Sequence, residues 1–448
     1  MHSRPERMRR LERRDGDGDA SPTGIDLFAP EWPSVQPALV RPAVPPQPRS
    51  PKIKILHVIT RFKDGSGGNT LVTLLGADPA HYDLWVAGSP GGPLWERAAN
   101  NGVRIVQLRH LREKIAPWDD VVVLLQLIRL MRRERFTIVH THSSKGGFLG
   151  RLAAWLCRTP VIVHTIHGFA WHDFMSRRRR SVYIALERLV RPMTHAFFAV
   201  SPQVAREAVA VGMAPSASIF VVPSAVELDK IPDGPDQLIR AELGIPAHVP
   251  LVGTVGRLDF QKAPLDFVRM AASVRASHPE TRFVWVGEGN LLEEARAEAG
   301  RLGVEILFTG YRNDAAGVAS SFDVFVISSL YEGLGRALSE AMASGRPIVA
   351  TAVNGVVDIV EPGKTGFLAP PADPETLARH IIWLLGNPDA ARRMGEAGRE
   401  RARSLFDPAL MCALIEHTYA RLVGPAPSGT AASPAGSGAR LRSPLGSG

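Results

Sequence analysis

Two successive series of short apolar runs, each run separated from the next by a helix-like stretch, constrain this chain more than anything else in it. The first series starts at Lys54-Ile55-Leu56-His57-Val58-Ile59 and continues over 103–108, 137–141, 161–165 and 196–200. The second starts at Leu251-Val252-Gly253-Thr254-Val255 and continues over 283–286, 306–308, 324–327 and 348–350. Runs that are β-branched and apolar on both faces need cover on both faces, which alternating helices supply. Each series therefore predicts a parallel sheet between helix layers. Two series predict an α/β chain of two Rossmann-like domains facing each other across a cleft, similar in architecture without a short repeat.

At 448 residues the chain exceeds what one hydrophobic core supports. Its ends depart from the rest. Residues 1–50 join an Arg-rich start, a DGDGD stretch and RPAVPPQPRSP, and residues 424–448 are mostly Gly, Pro, Ser and Ala. Neither can bury a core, so both read as disordered tails. Asp15, Asp17 and Asp19 imitate a calcium loop, yet Ala20 stands at the turn and Asp26 at the bidentate position, which argues against one. Between the tails, 51–228 and 229–402 read as the two domains, joined where PSAVELDKIPDGPDQ supplies linker composition. Residues 403–423 read as a helix that crosses back to the first domain.

Cys157 and Cys412 are the two cysteines, too far apart for a metal or redox spacing and too few for a disulfide framework. No apolar run reaches the ~18 to 20 residues that span a bilayer, and no signal-peptide core is present. A cytoplasmic location is expected. Charge is divided unevenly: 51–228 carries 23 Lys and Arg against 12 Asp and Glu, while 229–423 carries 20 against 25. The basic half suits an anionic partner, a membrane surface or nucleic acid. No nucleic-acid recognition motif accompanies it, so nucleic acid is not expected.

The chemistry centres on YEGLGRALSEAM, directly after the strand-like 324–327. On one helix Glu332 and Glu340 would be about 12 Å apart in rise, beyond the ~5 to 9.5 Å of hydrolytic carboxylate pairs. Glu332 is therefore expected to end a turn, with Gly333 and Gly335 letting backbone N–H groups approach a ligand and Glu340 inside the following helix. Carboxylates repel phosphates, so the pair should hold hydroxyls. Arg257 and Lys262, in VGRLDFQK, follow the first strand of the second series, where open α/β sheets bind ligands, and two cations there suit a diphosphate. A loop at Gly65-Ser66-Gly67-Gly68-Asn69 opens a helix after the first strand of the chain. Taken singly, each has a plainer account: solvated acids on a helix, an arginine in a structural ion pair, a surface lysine.

Taken in order, HVITRFKDGSGGNT, HTHSSKGGFLGR, HTIHGFAWH, VGRLDFQKAPLDF and YEGLGRALSEAM resemble the family 4 glycosyltransferases of the GT-B fold, over about residues 53 to 420. The resemblance implies a retaining, hexosyltransferase-type enzyme in polysaccharide or glycolipid assembly, with 51–228 on the acceptor side and 229–402 holding the nucleotide sugar. It implies that Arg257 and Lys262 bind the donor diphosphate and that Glu332 contacts the donor sugar, with Gly333, Leu334 and Gly335 beside it. Glu340 would hold the ribose, Gly67 and Gly68 the phosphate side, and His167 would lie beside the transferred sugar. The donor implied is a UDP-sugar acting as substrate; no cofactor and no metal are expected. The acceptor would be a glycan or a polyprenyl-linked sugar. Two positions depart from the family pattern: Ala263 stands where Gly is usual, and the linker reads Ser224-Ala225-Val226-Glu227. A sugar-nucleotide epimerase on the same two-domain fold stays open as an alternative.

His140, His142, His164, His167 and His172 cluster in sequence, with His140 and His142 on one strand face. No carboxylate or cysteine completes a metal spacing, so His140 and His142 are expected to line the acceptor side. Basic runs raise a second expectation, a peripheral position on the inner face of the plasma membrane. Residues 121–131 read as a buried helix ending in solvated arginines, whereas the run Arg177-Arg178-Arg179-Arg180 reads as a face toward anionic lipid.

Overall fold

The computed structural model describes residues 52–63, 65–232 and 234–424. The tails read as disordered, 1–50 and all of 424–448 beyond Gly424, lie outside the described residues, as do the aspartates of the calcium-like stretch. The first sheet contains β1 (Ile53–Arg61), β2 (Tyr82–Ser89), β3 (Arg104–Gln107), β4 (Ile138–His142), β5 (Val161–Ile166), β6 (Ala196–Ala199) and β7 (Ile219–Val221). Its spatial order is β3-β2-β1-β4-β5-β6-β7. The second contains β8 (Leu251–Val255), β9 (Arg282–Val286), β10 (Leu307–Gly310), β11 (Val324–Ile327), β12 (Ile348–Thr351) and β13 (Gly366–Ala369), in the order β10-β9-β8-β11-β12-β13. Every pairing is parallel. This is the pair of helix-covered sheets that the apolar runs predict; β2, β7 and β13 add strands those runs leave out.

Strand alternation divides each core. In β1, Ile55 and Ile59 join a cluster with Phe198, Met411, Cys412 and Ile415, whereas Leu56 and Val58 join Val123, Leu127, Val139 and Ile162 on the opposite face. Each of these β1 side chains is fully buried, worth about 1.5–3 kcal/mol apiece. The Pro408–Val423 helix supplies Met411, Cys412, Ile415 and Tyr419 to the first sheet and packs against the Ser66–Gly76 helix. Asp407 caps it by accepting from Ala409 N.

Both sheets reverse their order at one point, β1 beside β4 and β8 beside β11. Loops leaving such neighbouring strands in opposite directions open a crevice at their C-terminal ends, which is where ligands sit in open α/β sheets. One helix differs from expectation. The Pro117–Glu134 helix buries Val123, Leu127, Leu130 and Met131 but leaves Trp118, Val121, Val122 and Leu125 exposed. Residues 121–131 are thus buried along one stripe only, because its other apolar side chains face away from the sheet.

Candidate functional site

The C-terminal ends of the two sheets share one cleft of about 3470 Å³. Of the residues singled out by sequence, Gly68, His167, Arg257, Lys262, Glu332, Gly333, Leu334, Gly335 and Glu340 all line it. Gly67 is turned away, packed toward Phe62 and Leu94.

Topology explains how Lys262 and Glu332, seventy residues apart in sequence, meet. After β8 the chain makes a 3-10 turn, Phe260–Lys262, whose start Asp259 caps by accepting from Lys262 N at 3.3 Å. After β11, hydrogen-bonded to β8, it runs through Ser328 to Gly335. The two turns are tied by Leu330 N donating to Gln261 O at 2.8 Å and by Gln261 Nε2 donating to Tyr331 O at 3.0 Å. Lys262 Nζ then ion-pairs with Glu332 Oε1, and Ser329 Oγ donates to the same oxygen at 2.8 Å. Gln261 Nε2 reaches the other oxygen at 3.4 Å. The Glu332 side chain is only 6% exposed, and these partners hold its carboxylate in one orientation. Arg257 is its opposite, 61% exposed and bound to Asp259 at 3.1 Å.

Gly335 has φ 84° and starts the Arg336–Ala343 helix, a left-handed turn that suits glycine. Glu340 lies on that helix, and Arg336 Nε donates to Glu340 Oε1 at 2.8 Å across one turn. The Arg336 guanidinium reaches over the cleft to lie against Gly68. Sequence reasoning passed over Arg336; its spacing of four from Glu340 was the available signal. It named Asn69 only as the end of the glycine loop, without the bond in which Asn69 Oδ1 accepts from Ala225 N at 3.0 Å and ties the glycine-loop helix to the linker. In that linker Glu227 bonds Arg97 and Lys230, and the Arg97 guanidinium holds its carboxyl down at about 2.

The histidines are arranged differently from expectation. His140 and His142 are 0% and 1% exposed, so they do not line the acceptor side but lie behind the cleft within the sheet core. Alternation had placed them on one face correctly; what it could not give was which face the Pro408–Val423 helix covers. His167, just past β5, lines the cleft and touches His142, Nε2 to Nδ1 at 3.1 Å. Desolvation pushes His167 down to about 4 and His57 to about 3, and lowers His140, His142 and His164 as well. His57, His140 and His142 bring ligand atoms within 4.8 Å of one another, close enough for a metal. Both nitrogens of His140, however, bond hydroxyls, Tyr419 Oη at 2.5 Å and Thr165 Oγ1 at 2.6 Å. His172 lies at the cleft, stacked on Tyr331 at 4.3 Å.

Comparison with known proteins gives this cleft its context. Residues 235–401 match the family described as glycosyl transferases group 1, and residues 70–225 match the glycosyl transferase 4-like domain. The chain is 31% identical over 325 residues to the UDP-Gal:alpha-D-GlcNAc-diphosphoundecaprenol alpha-1,3-galactosyltransferase of Escherichia coli, covering 71% of this chain and 84% of that one. The chain belongs to the group 1 glycosyltransferases. Another relative of this glycosyltransferase, the 2-deoxystreptamine glucosyltransferase of Streptomyces kanamyceticus, is 28% identical over 75% of the chain and 93% of its own length. The fold is that of Anabaena HepE, solved with UDP and glucose, at a TM-score of 0.70 and 18% identity over 82% of this chain and 100% of that one. Sucrose-phosphate synthase from Thermosynechococcus elongatus aligns with a TM-score of 0.68 at 23% identity, over 83% and 99%. The expected GT-B architecture is therefore the observed one. Among its described residues, this glycosyltransferase has no helix long and apolar enough to cross a membrane.

Proposed function

We propose that this glycosyltransferase moves a hexose, with retention of anomeric configuration, from a UDP-sugar to a glycan or polyprenyl-linked acceptor in polysaccharide or glycolipid assembly. The observation that carries the reading is the contact of Lys262 with Glu332 in the cleft, a cation and a fixed carboxylate side by side. Such a pair suits a ligand that is anionic at one end and rich in hydroxyls at the other. Arg257 and Lys262 hold the diphosphate, Glu332 accepts from the donor sugar's hydroxyls beside Gly333, Leu334 and Gly335, and Glu340 accepts from the ribose. Gly68 lines the phosphate side of the opposite wall and leaves room there for the Arg336 guanidinium, with Gly67 shaping the turn behind it.

The donor class is supported by the UDP-galactose that the Escherichia coli relative is named for and by the UDP in the HepE crystal. In the step itself the bond from the anomeric carbon to the diphosphate breaks and the acceptor oxygen bonds on the same face. The departing diphosphate takes the acceptor's proton. Arg257 and Lys262 stabilise the charge growing on that diphosphate. Desolvation, which pushes His167 down to about 4, makes it a weak base at neutral pH, and it serves as a hydrogen-bonding partner of the sugar. No metal enters the step.

Incubation with UDP-sugars and a short prenyl-diphosphate-linked sugar tests this, with UDP release and the product's anomeric configuration read by NMR. UDP release with an α product from an α donor is expected. An inverted product, an isomerised donor or no turnover of any UDP-sugar would overturn it.

The acceptor class gives a role to the basic first half. Exposed Trp118, Val121 and Leu125 share the Pro117–Glu134 helix with Arg129, Arg132 and Arg133, and Arg177 to Arg180 open the Arg177–Val190 helix. We read these as contacts to an anionic bilayer, each near-surface cation adding about 1 kcal/mol. Sedimentation with phosphatidylglycerol vesicles, but not with phosphatidylcholine alone, is expected; no binding to the anionic vesicles at moderate salt removes the membrane role.

A further inference from the structure

Behind the cleft, three imidazoles form a line. His57 on β1 pairs in register with His140 on β4, and His142 lies two residues further along the same face. His57 Nδ1 lies 3.0 Å from His142 Nε2, and His142 Nδ1 lies 3.1 Å from His167 Nε2. The outer end of the line lies in the cleft and the inner end in the sheet core. His140 stands beside it, its ring 4.2 Å from that of His142 and 4.8 Å from that of His57. Its own nitrogens are fixed by Thr165 and by Tyr419 of the last described helix.

A neutral imidazole has one N–H and one bare nitrogen. His142, bonded at both nitrogens to other imidazoles, must therefore donate at one end and accept at the other. Only two patterns satisfy both bonds. Either all three rings carry the proton on Nδ1, so that the N–H groups point toward the cleft, or all three carry it on Nε2 and point away. In the first pattern the remaining nitrogen of His167 is a donor; in the second it is an acceptor. A mixed set sets two N–H groups or two lone pairs against each other.

We propose that His142 and His57 are positioning residues which, through this wire, decide whether His167 offers the donor sugar an N–H or a lone pair. Neutrality is what the wire needs, since a protonated ring donates at both nitrogens and breaks the sequence. Desolvation supplies it, depressing His57 and His142 inside the core and the half-buried His167 at its edge. The role rests on the reading of His167 as a sugar contact given above. Neither His57 nor His142 touches the cleft, so each acts only through His167.

The decisive measurement is the side-chain 15N spectrum of the full-length protein labelled at histidine, at pH 7.5. His57, His142 and His167 are expected to share one tautomer, all Nδ1–H or all Nε2–H; unequal tautomers overturn the wire, as does a stoichiometric metal ion found on these rings by elemental analysis. This uses the unaltered protein and so does not depend on a variant folding. Kinetics then test the consequence. His142→Phe, which keeps a flat ring without nitrogens, is expected to lower kcat about tenfold with donor KM little changed, and His142→Gln to recover part of the loss. The double variant with His167→Ala should be no slower than His167→Ala alone. Losses that multiply would mean that His142 merely supports the fold. An unchanged turnover in His167→Ala overturns the sugar-contact reading itself, and any positioning role with it, whatever the tautomers.

Discussion

The carbonyl oxygen of His167 fills the space that a side chain on Gly333 would need. These residues belong to loops of different sheets, and the Gly333 carbonyl in turn fills the space beside Gly355. Backbone meets backbone at this point of the cleft, with no flexible side chain between to absorb a change.

Gly333→Ala should therefore force the His167 loop and the 328–335 turn apart, at a cost of about 1–3 kcal/mol. A kcat reduced about tenfold or more is expected, larger than the loss of thermal stability suggests. Steady-state kinetics beside a melting curve check this; wild-type kcat would show that the contact is not part of the working geometry.

Arg257 and Lys262 differ in what they do for the folded state. Lys262→Ala leaves the buried Glu332 carboxylate without its cation and should cost about 1–3 kcal/mol as well as turnover. Arg257 is largely exposed, so Arg257→Ala should change stability by no more than about 0.5 kcal/mol while still lowering kcat about 100-fold. Urea unfolding and turnover measured on both variants separate the effects, and equal activity in Arg257→Ala would remove it from the diphosphate site.

Four buried histidines and the half-buried His167 make the protein sensitive to mild acid. His57, His140, His142, His164 and His167 are all held below the usual 6.5 by burial, to about 3 for His57 and about 4 for His167. Below pH 6.5 the unfolded chain takes up protons that the folded chain refuses. The stability present above 6.5 is thus lost as pH falls toward the folded values, at about 1.4 kcal/mol per unit for each histidine. The melting temperature is expected to drop steeply between pH 6.5 and 5.5, before carboxylates titrate, and a flat profile there would contradict the burial of these rings as neutral species.

Ala263 adopts φ 46°, ψ 59°, a left-handed conformation, at the N-cap of the Pro264–Ser277 helix. Left-handed geometry costs an L-residue about 1–2 kcal/mol, partly offset because glycine loses more chain entropy. Ala263→Gly should stabilise the protein by about 0.5 kcal/mol, measurable as a higher denaturation midpoint with unchanged slope.

Much of this was legible in sequence because it is local. The runs around Ile55 and Val252 specify buried strands, and the glycines of 333–335 specify a turn before a helix. The spacing of Glu332 and Glu340 was enough to separate a turn residue from a helical one. What sequence could not give was long-range. Tyr419 reaches His140 from 279 residues away, and only the packed helix reveals that the His140 face is covered. Arg336 drew no attention in the sequence, because its position against Gly68 depends on the packing of the two sheets. Residues 121–131 were misjudged because an apolar stripe reads alike whether it faces a sheet or solvent.

The last described helix has a consequence for how the molecule is made. Its Met411, Cys412, Ile415 and Tyr419 complete the core of a sheet whose first strand begins at Ile53. During synthesis the early strands must wait, with part of an apolar face uncovered, until more than three hundred further residues have left the ribosome. At about 5–20 residues per second that interval is tens of seconds, long enough for chaperones to decide the yield of folded enzyme.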